Sequence, residues 1–148
     1  MSYILQSVQI IAGFEGFKDK PYYDGSAKYS VGYGFCFWNH RPVTSSYPAS
    51  ITQDQAETYL QELVEDLAKQ IDGVVTVSLS NNQYAALCSF CYNVGFTAFK
   101  NSTLLEDINQ NDFTSATSQF LLWNKSGGQV VAGLTNRRSM EAKIFNTP

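Results

Sequence analysis

Residues 14–34 read FEGFKDKPYYDGSAKYSVGYG. Apolar residues precede this segment at helical spacing, so a helix is predicted over residues 3–14. The helical pattern stops at Glu15, and the aromatic and β-branched residues that follow predict two or three short strands over residues 17–37. Asp24-Gly25 is a favoured pair for a tight hairpin turn between two of them. Glu15 is therefore expected where a helix meets a small sheet.

Two carboxyl groups in this segment have contrasting predicted surroundings. Glu15 is flanked by Phe14 and Phe17, and a carboxyl that is half shielded by apolar side chains holds its proton more readily. Asp24 follows in a polar turn, where water keeps it ionised. Hydrolysis of a glycosidic bond requires such a pair, one acid that gives a proton and one anion that stays charged. Ser30, in the next strand, adds a hydroxyl that can hold an attacking water.

The spacing of these residues resembles the active-site segment of phage-type lysozymes, glycoside hydrolase family 24. That family has Glu, Asp and Thr at the positions of Glu15, Asp24 and Ser30, followed by a Gly-x-Gly strand that matches Gly32-Tyr33-Gly34. Serine keeps the hydroxyl of threonine and loses its methyl group. The resemblance implies that Glu15 is the general acid, that Asp24 stabilises the transition state or activates water, and that Ser30 positions the water. Tyr33 is expected to contact the substrate.

Two later tracts resemble the same family. Residues 89–104 match a helix that ends in glycine and is followed by Phe and Asn-Ser/Thr-Leu; this implies that Asn93 is an amide contact to the sugar. Asn101 and Ser102 are weaker candidates for sugar contacts, because helix capping also explains these residue types and is the favoured interpretation. Residues 133–141 resemble the family's Gly-Leu-x-x-Arg-Arg-x-x-Glu tract, and Arg137 takes the position whose guanidinium approaches the catalytic Glu. Arg138 and Glu141 are expected to form a pair on a helix surface.

The remaining sequence predicts a mostly helical protein. Thr52 and Gln55 form a capping box that begins a helix over residues 53–72, long enough to join two lobes, and a second capping box begins at Ser80. The acidic residues of the helix over residues 53–72 are interpreted as its solvated face rather than as a catalytic pair. The resemblance implies one α+β lysozyme-like domain. It would have a sheet lobe at 13–52, the connecting helix at 53–72, a helical lobe at 74–148 packed with helix 3–14, and a substrate cleft between the lobes.

Composition excludes several other classes of protein. The chain has 148 residues and a net charge of −3, which argues against nucleic acid or an anionic membrane as a main partner. No Cys/His spacing typical of zinc is found, so neither a metal nor another cofactor is expected. Three cysteines are interpreted as reduced thiols, and the single histidine, His40, as an exposed loop residue. Gly127-Gly128 lacks the rest of a phosphate-binding loop.

These observations lead to one functional expectation. The resemblance implies an endolysin, an N-acetylmuramidase that cleaves the β-1,4 bond between N-acetylmuramic acid and N-acetylglucosamine in peptidoglycan, acting as a monomer. A lytic transglycosylase and a non-catalytic peptidoglycan-binding virion module are the alternatives. The apolar run at 8–14 is too short to span a membrane and lacks a basic flank, so no signal peptide is expected. Synthesis in the host cytoplasm and release to the wall by another agent, for example a holin, would follow.

Overall fold

The computed structural model describes residues 2–25 and 28–148. Seven helices are found in these ranges: α1 (Tyr3–Glu15), α2 (Gln53–Asp72), α3 (Asn81–Val94), α4 (Phe96–Lys100), α5 (Thr103–Asn109), α6 (Phe113–Phe120) and α7 (Ala132–Phe145). The strands are β1 (Lys18–Tyr23), β2 (Tyr29–Gly32), β3 (Phe37–Trp38), β4 (Arg41–Pro42), β5 (Lys125–Ser126) and β6 (Gln129–Val130). They pair in sequence order as three antiparallel two-stranded sheets within the described ranges.

The chain forms two compact units. The sheet unit is Val8–Leu63, and the helical unit is Met1–Ser7 with Val64–Pro148. The boundaries between the units fall inside α1 and α2, whereas the sequence interpretation assigned helix 3–14 whole to the helical lobe. Both units therefore contain part of each of these helices.

The sheet unit is organised by the β1–β2 hairpin. Tyr22 pairs with Ser30 and Tyr23 with Tyr29, while the register is irregular between Lys18 and Tyr22, a stretch that contains Pro21, which has no N–H to donate. The two strands are joined by a longer connection than the tight Asp24-Gly25 turn that the sequence predicted: the Asp24 N–H donates to the Lys28 carbonyl at 3.1 Å, and residues 26 and 27 lie outside the described residues. The core of the unit contains mainly aromatic and aliphatic residues: Ile11, Val31, Tyr33, Phe35, Val43, Ile51, Ala56 and Leu60.

A second hairpin, β3–β4, surrounds His40, which the sequence predicted only as a loop residue. Asn39 and His40 both have positive φ, 48° and 63°, and together form its two-residue connection. His40 is exposed, as expected.

The helical unit is built mainly by packing α3 against α7 and α5 against α6. The predicted capping box at Ser80 is present, with the Ser80 side chain accepting from the Gln83 N–H while the Gln83 side chain accepts from the Ser80 N–H. Its core is rich in phenylalanine, and Phe90, Phe99, Phe120 and Phe145 are almost completely buried. No helix among the described residues is both long and apolar enough to cross a bilayer.

Candidate active site

Glu15 is the last residue of α1, as predicted, and its side chain is half-buried. The helix ends there because Gly16 has a φ of +70°, a left-handed conformation that suits glycine, while its N–H still donates to the Ala12 carbonyl at 3.0 Å. The carboxyl is thus presented at the end of a rigid helix, next to the β1–β2 hairpin.

The Gly32-x-Gly34 motif makes room for two side chains. A Cβ atom on Gly34, whose φ is +82°, would lie 2.9 Å from Glu15 Oε1, so the carboxyl lies directly over the Gly34 backbone. A Cβ on Gly32, whose φ is +66°, would lie 2.6 Å from the Phe35 ring. Both positions therefore require glycine, one for the candidate acid and one for the core of the sheet unit.

Asp24 and Ser30 lie near the turn of the same hairpin. Asp24 is exposed and directly follows β1, while Ser30 is in β2 and only 3% exposed. The two candidate carboxyl groups thus differ as the sequence suggested, one being half-buried at a helix end and the other open to solvent.

Tyr22 connects these groups, although sequence reasoning did not select it. It lies opposite Ser30 in the β1–β2 register, and its hydroxyl forms a side-chain hydrogen bond with Ser30. Burial raises the pKa of Tyr22; the nearby charges of Glu15, Asp24 and Cys36 raise it further, and the Ser30 bond acts in the opposite direction. One phenol is therefore within electrostatic range of Glu15, Asp24 and Cys36 and bonded to Ser30. Only the strand register reveals this pairing, and no motif in the sequence marks it.

Cys36 is the other neighbour of Ser30. Its Sγ lies 3.9 Å from Ser30 Oγ, a distance at which either atom can donate. The residue is half-buried and lines a pocket of about 440 Å³ together with Tyr29 and Phe37. Ser30 thus contacts a residue that lines this cavity.

The prediction that Tyr33 contacts the substrate does not fit its position. Tyr33 is only 2% exposed, its ring packs against Phe17 and Phe35, and its hydroxyl accepts a bond from Gln53 Nε2 at 3.2 Å. Residue 33 lies between two glycines that bend the backbone, and this directs the ring into the core. The Tyr33 ring therefore belongs to the core of the sheet unit.

Arg137 belongs to a buried polar network in the helical unit. Its Nε lies 3.3 Å from Glu141 Oε2, and its Nη2 donates to the Ser89 carbonyl at 3.1 Å. Ser89 Oγ donates to Glu141 Oε2 at 2.5 Å. The guanidinium of Arg137 is thereby held by α3 and α7 together.

The expectation of a surface pair between Arg138 and Glu141 is wrong, because both residues are fully buried. Arg138 Nε lies 3.2 Å from Glu141 Oε1, close enough for an ion pair but outside the alignment of a hydrogen bond. Burial raises the pKa of Glu141, and Arg138, Ser89 and Arg137 act against that rise. Arg138 Nη2 also donates to Asn93 Oδ1, so the amide oxygen of exposed Asn93 faces Arg138.

Asn101 and Ser102 have the geometry of helix caps. Asn101 Nδ2 donates to the Thr97 carbonyl at 3.1 Å. Ser102 is buried, donates to the Phe99 carbonyl at 2.6 Å and accepts from the Leu105 N–H at 3.1 Å. The capping alternative describes both residues, since the Ser102 hydroxyl is already engaged by the Phe99 carbonyl and the Leu105 N–H.

The cysteines of α3 are inert. Cys88 and Cys91 are buried free thiols, and burial raises the pKa of Cys88 to about 11 and that of Cys91 as well. Among residues 2–25 and 28–148, no group of three His, Cys, Asp or Glu side chains is arranged to hold a metal ion.

Comparison with known proteins extends these observations. The family model described as phage lysozyme matches residues 12–141. The chain is 39% identical over 142 residues to the endolysin of Bacillus phage PZA, covering 95% of this chain and 53% of that protein. It is 33% identical to the endolysin of Acyrthosiphon pisum secondary endosymbiont phage 1, covering 93% of each chain. The chain spans about half the length of the Bacillus phage relatives it matches.

The predicted lysozyme-like α+β fold is confirmed by a solved structure. The endolysin from Escherichia coli O157:H7 phage FAHEc1 superposes with a TM-score of 0.89 at 31% identity, covering 99% of this chain and 94% of that one. The family match includes the helix end at Glu15, the β1–β2 hairpin and the Arg137 tract. This chain belongs to the phage lysozyme family.

Proposed function

We propose that the chain is a glycoside hydrolase of the endolysin type that cleaves the β-1,4 bond between N-acetylmuramic acid and N-acetylglucosamine in peptidoglycan. The observation that carries this proposal is the group of residues around Tyr22. Its phenol lies within electrostatic range of Glu15 and Asp24 and bonds to Ser30. An acid, an anion and a water-binding hydroxyl around one point are what hydrolysis of a glycoside requires.

Each of the three residues has a role in this proposal that suits its surroundings. Glu15, half-buried at the end of α1 and lying over the Gly34 backbone, protonates the leaving oxygen. Exposed Asp24 stays charged and stabilises the oxocarbenium-like transition state or activates water. Ser30 Oγ binds that water. Arg137 and Asn93 stay predicted contributors from the helical unit.

The setting of the activity is also a proposal. All three catalytic candidates belong to the sheet unit of one chain, which supports a monomer as the acting species. An endolysin acts on the cell wall, and we propose that this chain reaches the wall from the host cytoplasm after release by another agent such as a holin.

The test is lysis by a variant that lacks the acid. Glu15→Gln keeps the shape of the side chain over Gly34 and removes the transferable proton, so we expect wall hydrolysis to fall about 10²–10⁴-fold. Turbidity of outer-membrane-stripped cells measures the rate, and thermal unfolding within about 2 °C of the wild type shows that the fold is kept. Exposed Glu57→Gln in the same unit is the matched control and should lyse normally.

Three results would contradict the proposal. Undiminished lysis by Glu15→Gln would remove Glu15 from the chemistry. Anhydro-muropeptides in place of reducing ends would identify a lytic transglycosylase, and an inactive wild type that still binds purified walls would identify a binding module.

A further inference from the structure

Ser30 requires a partner to fix its hydroxyl. Threonine at this position would have a restricted χ1 angle because its Cβ is branched, whereas serine has three staggered rotamers available. A hydroxyl that hops between rotamers would bind a water in several places. The serine in this chain must therefore be oriented by its neighbours.

The hairpin supplies such a neighbour. Tyr22 lies directly opposite Ser30 in the antiparallel pair, so both side chains project from the same face of the sheet. The phenol bonds to the Ser30 hydroxyl, and Cys36 Sγ contacts the same oxygen at 3.9 Å. Because Ser30 is only 3% exposed, protein groups rather than bulk solvent determine the orientation of its hydroxyl.

We propose that Tyr22 is a positioning residue whose hydroxyl holds Ser30 Oγ in a single rotamer, supplying the order that the methyl group of a threonine would give. This inference rests on the proposed hydrolysis. With the Ser30 proton directed to Tyr22, the Ser30 oxygen is left as an acceptor. It then orients a water by accepting one of that water's protons.

A neutral phenol suits this task. A tyrosine hydroxyl is protonated at physiological pH at its ordinary pKa, and burial, the largest cause, raises the pKa of Tyr22 further. Its oxygen can therefore accept the Ser30 proton while its own proton remains available to donate.

A double-mutant cycle tests the proposal. On soluble peptidoglycan fragments, Tyr22→Phe is expected to lower kcat about tenfold with little change in KM, because water positioning matters only as the bond breaks. In a Ser30→Thr background the same change should cost less than about threefold, since the threonine methyl orients the hydroxyl by itself. Tyr59→Phe, which removes a hydroxyl from another half-buried tyrosine of the sheet unit, is the control and should leave kcat unchanged.

Two NMR readouts do not depend on activity. Scalar couplings between Hα and Hβ of Ser30 should show one rotamer in the wild type and averaging in Tyr22→Phe. The chemical shift of a Tyr22 ring carbon, followed as the pH is raised, should give a higher pKa for the Tyr22 hydroxyl in Ser30→Ala, because the hydrogen bond with Ser30 lowers that pKa. This second measurement needs no Tyr22 variant, so it tests the Tyr22–Ser30 bond even if Tyr22→Phe does not fold, and an unchanged pKa would overturn the proposal.

The outcomes separate this inference from the function on which it rests. An equal kcat loss in the serine and threonine backgrounds, or a single Ser30 rotamer in Tyr22→Phe, would overturn the positioning role while hydrolysis stands. A wild type inactive on glycan would overturn the proposed function, and the couplings would then decide alone whether Tyr22 orients Ser30.

Discussion

Gly34 has a φ of +82°, and a Cβ atom built on it would lie 2.9 Å from Glu15 Oε1. A side chain at this position thus meets two obstacles, a left-handed backbone and the oxygen of the candidate acid. Gly13, in the interior of α1, has nothing within 4 Å of its Cβ position and no positive φ. The two glycines are chemically identical and differ in what surrounds them.

Alanine at these positions should therefore have opposite effects. We expect Gly34→Ala to destabilise the protein by about 1–2 kcal/mol and to displace the Glu15 carboxyl, lowering lysis at temperatures where the variant is folded. Gly13→Ala should stabilise it by about 0.5–1 kcal/mol, because alanine is the better helix former. Urea unfolding and turbidity assays measure both effects. A Gly34→Ala protein as stable and active as the wild type would show that the contact with Glu15 does not constrain this position.

The candidate catalytic residues were selected from their spacing, and their roles stay predictions. Glu15, Asp24 and Ser30 were selected by their order and their separation along the chain. Tyr22 was not, because its pairing with Ser30 depends on a register that is irregular around Pro21. Tyr33 was assigned to the substrate for the converse reason, since its burial depends on how two glycines turn the backbone.

Helices were predictable where both a capping box and an apolar period mark them. The Gln53–Asp72 helix has the predicted bounds, and Thr52 and Gln55 exchange hydrogen bonds at 2.9 and 3.1 Å. The hairpin around Asn39 and His40 was missed because neither residue is glycine and nearby prolines suggest a loop. A strand of two residues is too short to show the alternation of apolar and polar side chains by which strands are predicted.

In α7 the hydrophobic period fails for a physical reason. Its buried face consists of Arg137, Arg138, Glu141, Ala142 and Phe145, so three of the five inward side chains are charged. A hydrophobic pattern predicts that charged side chains face the solvent. In α7 they face the interior, where ion pairs and hydrogen bonds among them offset part of the cost of burial. The stability of the protein is therefore expected to depend on each member of that network.

Removing the carboxylate of α7 tests this dependence. We expect Glu141→Gln to destabilise the protein by about 3–5 kcal/mol, because Arg138, at 0% exposure, loses the carboxylate with which it pairs. Glu106→Gln on α5 removes an exposed carboxylate from the same unit and should change stability by less than about 1 kcal/mol. Urea denaturation at neutral pH compares them. Equal small effects would mean that the buried pair contributes nothing beyond its packing.

At the scale of the whole molecule, two helices belong to both compact units. The division falls after Ser7 in α1 and after Leu63 in α2. The buried residues of α2 accordingly include Ala56 and Leu60 in the sheet unit and Val64, Ala68 and Ile71 in the helical unit. If one unit unfolded alone, about half of this 20-residue helix would remain, and such a fragment is marginal by itself. We infer that the units unfold together.

One tryptophan in each unit makes this testable. Trp38 packs against Phe35 and Tyr59 in the sheet unit, and Trp123 packs edge-on against Phe90 in the helical unit. In Trp123→Phe the remaining fluorescence reports the sheet unit, although the substitution weakens the helical unit. We expect the urea midpoint of this fluorescence to fall together with the midpoint of far-UV circular dichroism, the two agreeing within about 0.3 M. The reason is that a shared helix makes the stability of one unit depend on that of the other. The reciprocal Trp38→Phe protein should behave alike. A Trp38 transition that stays at the wild-type midpoint while the helical signal melts earlier would show that the units unfold separately, and that α2 does not couple them.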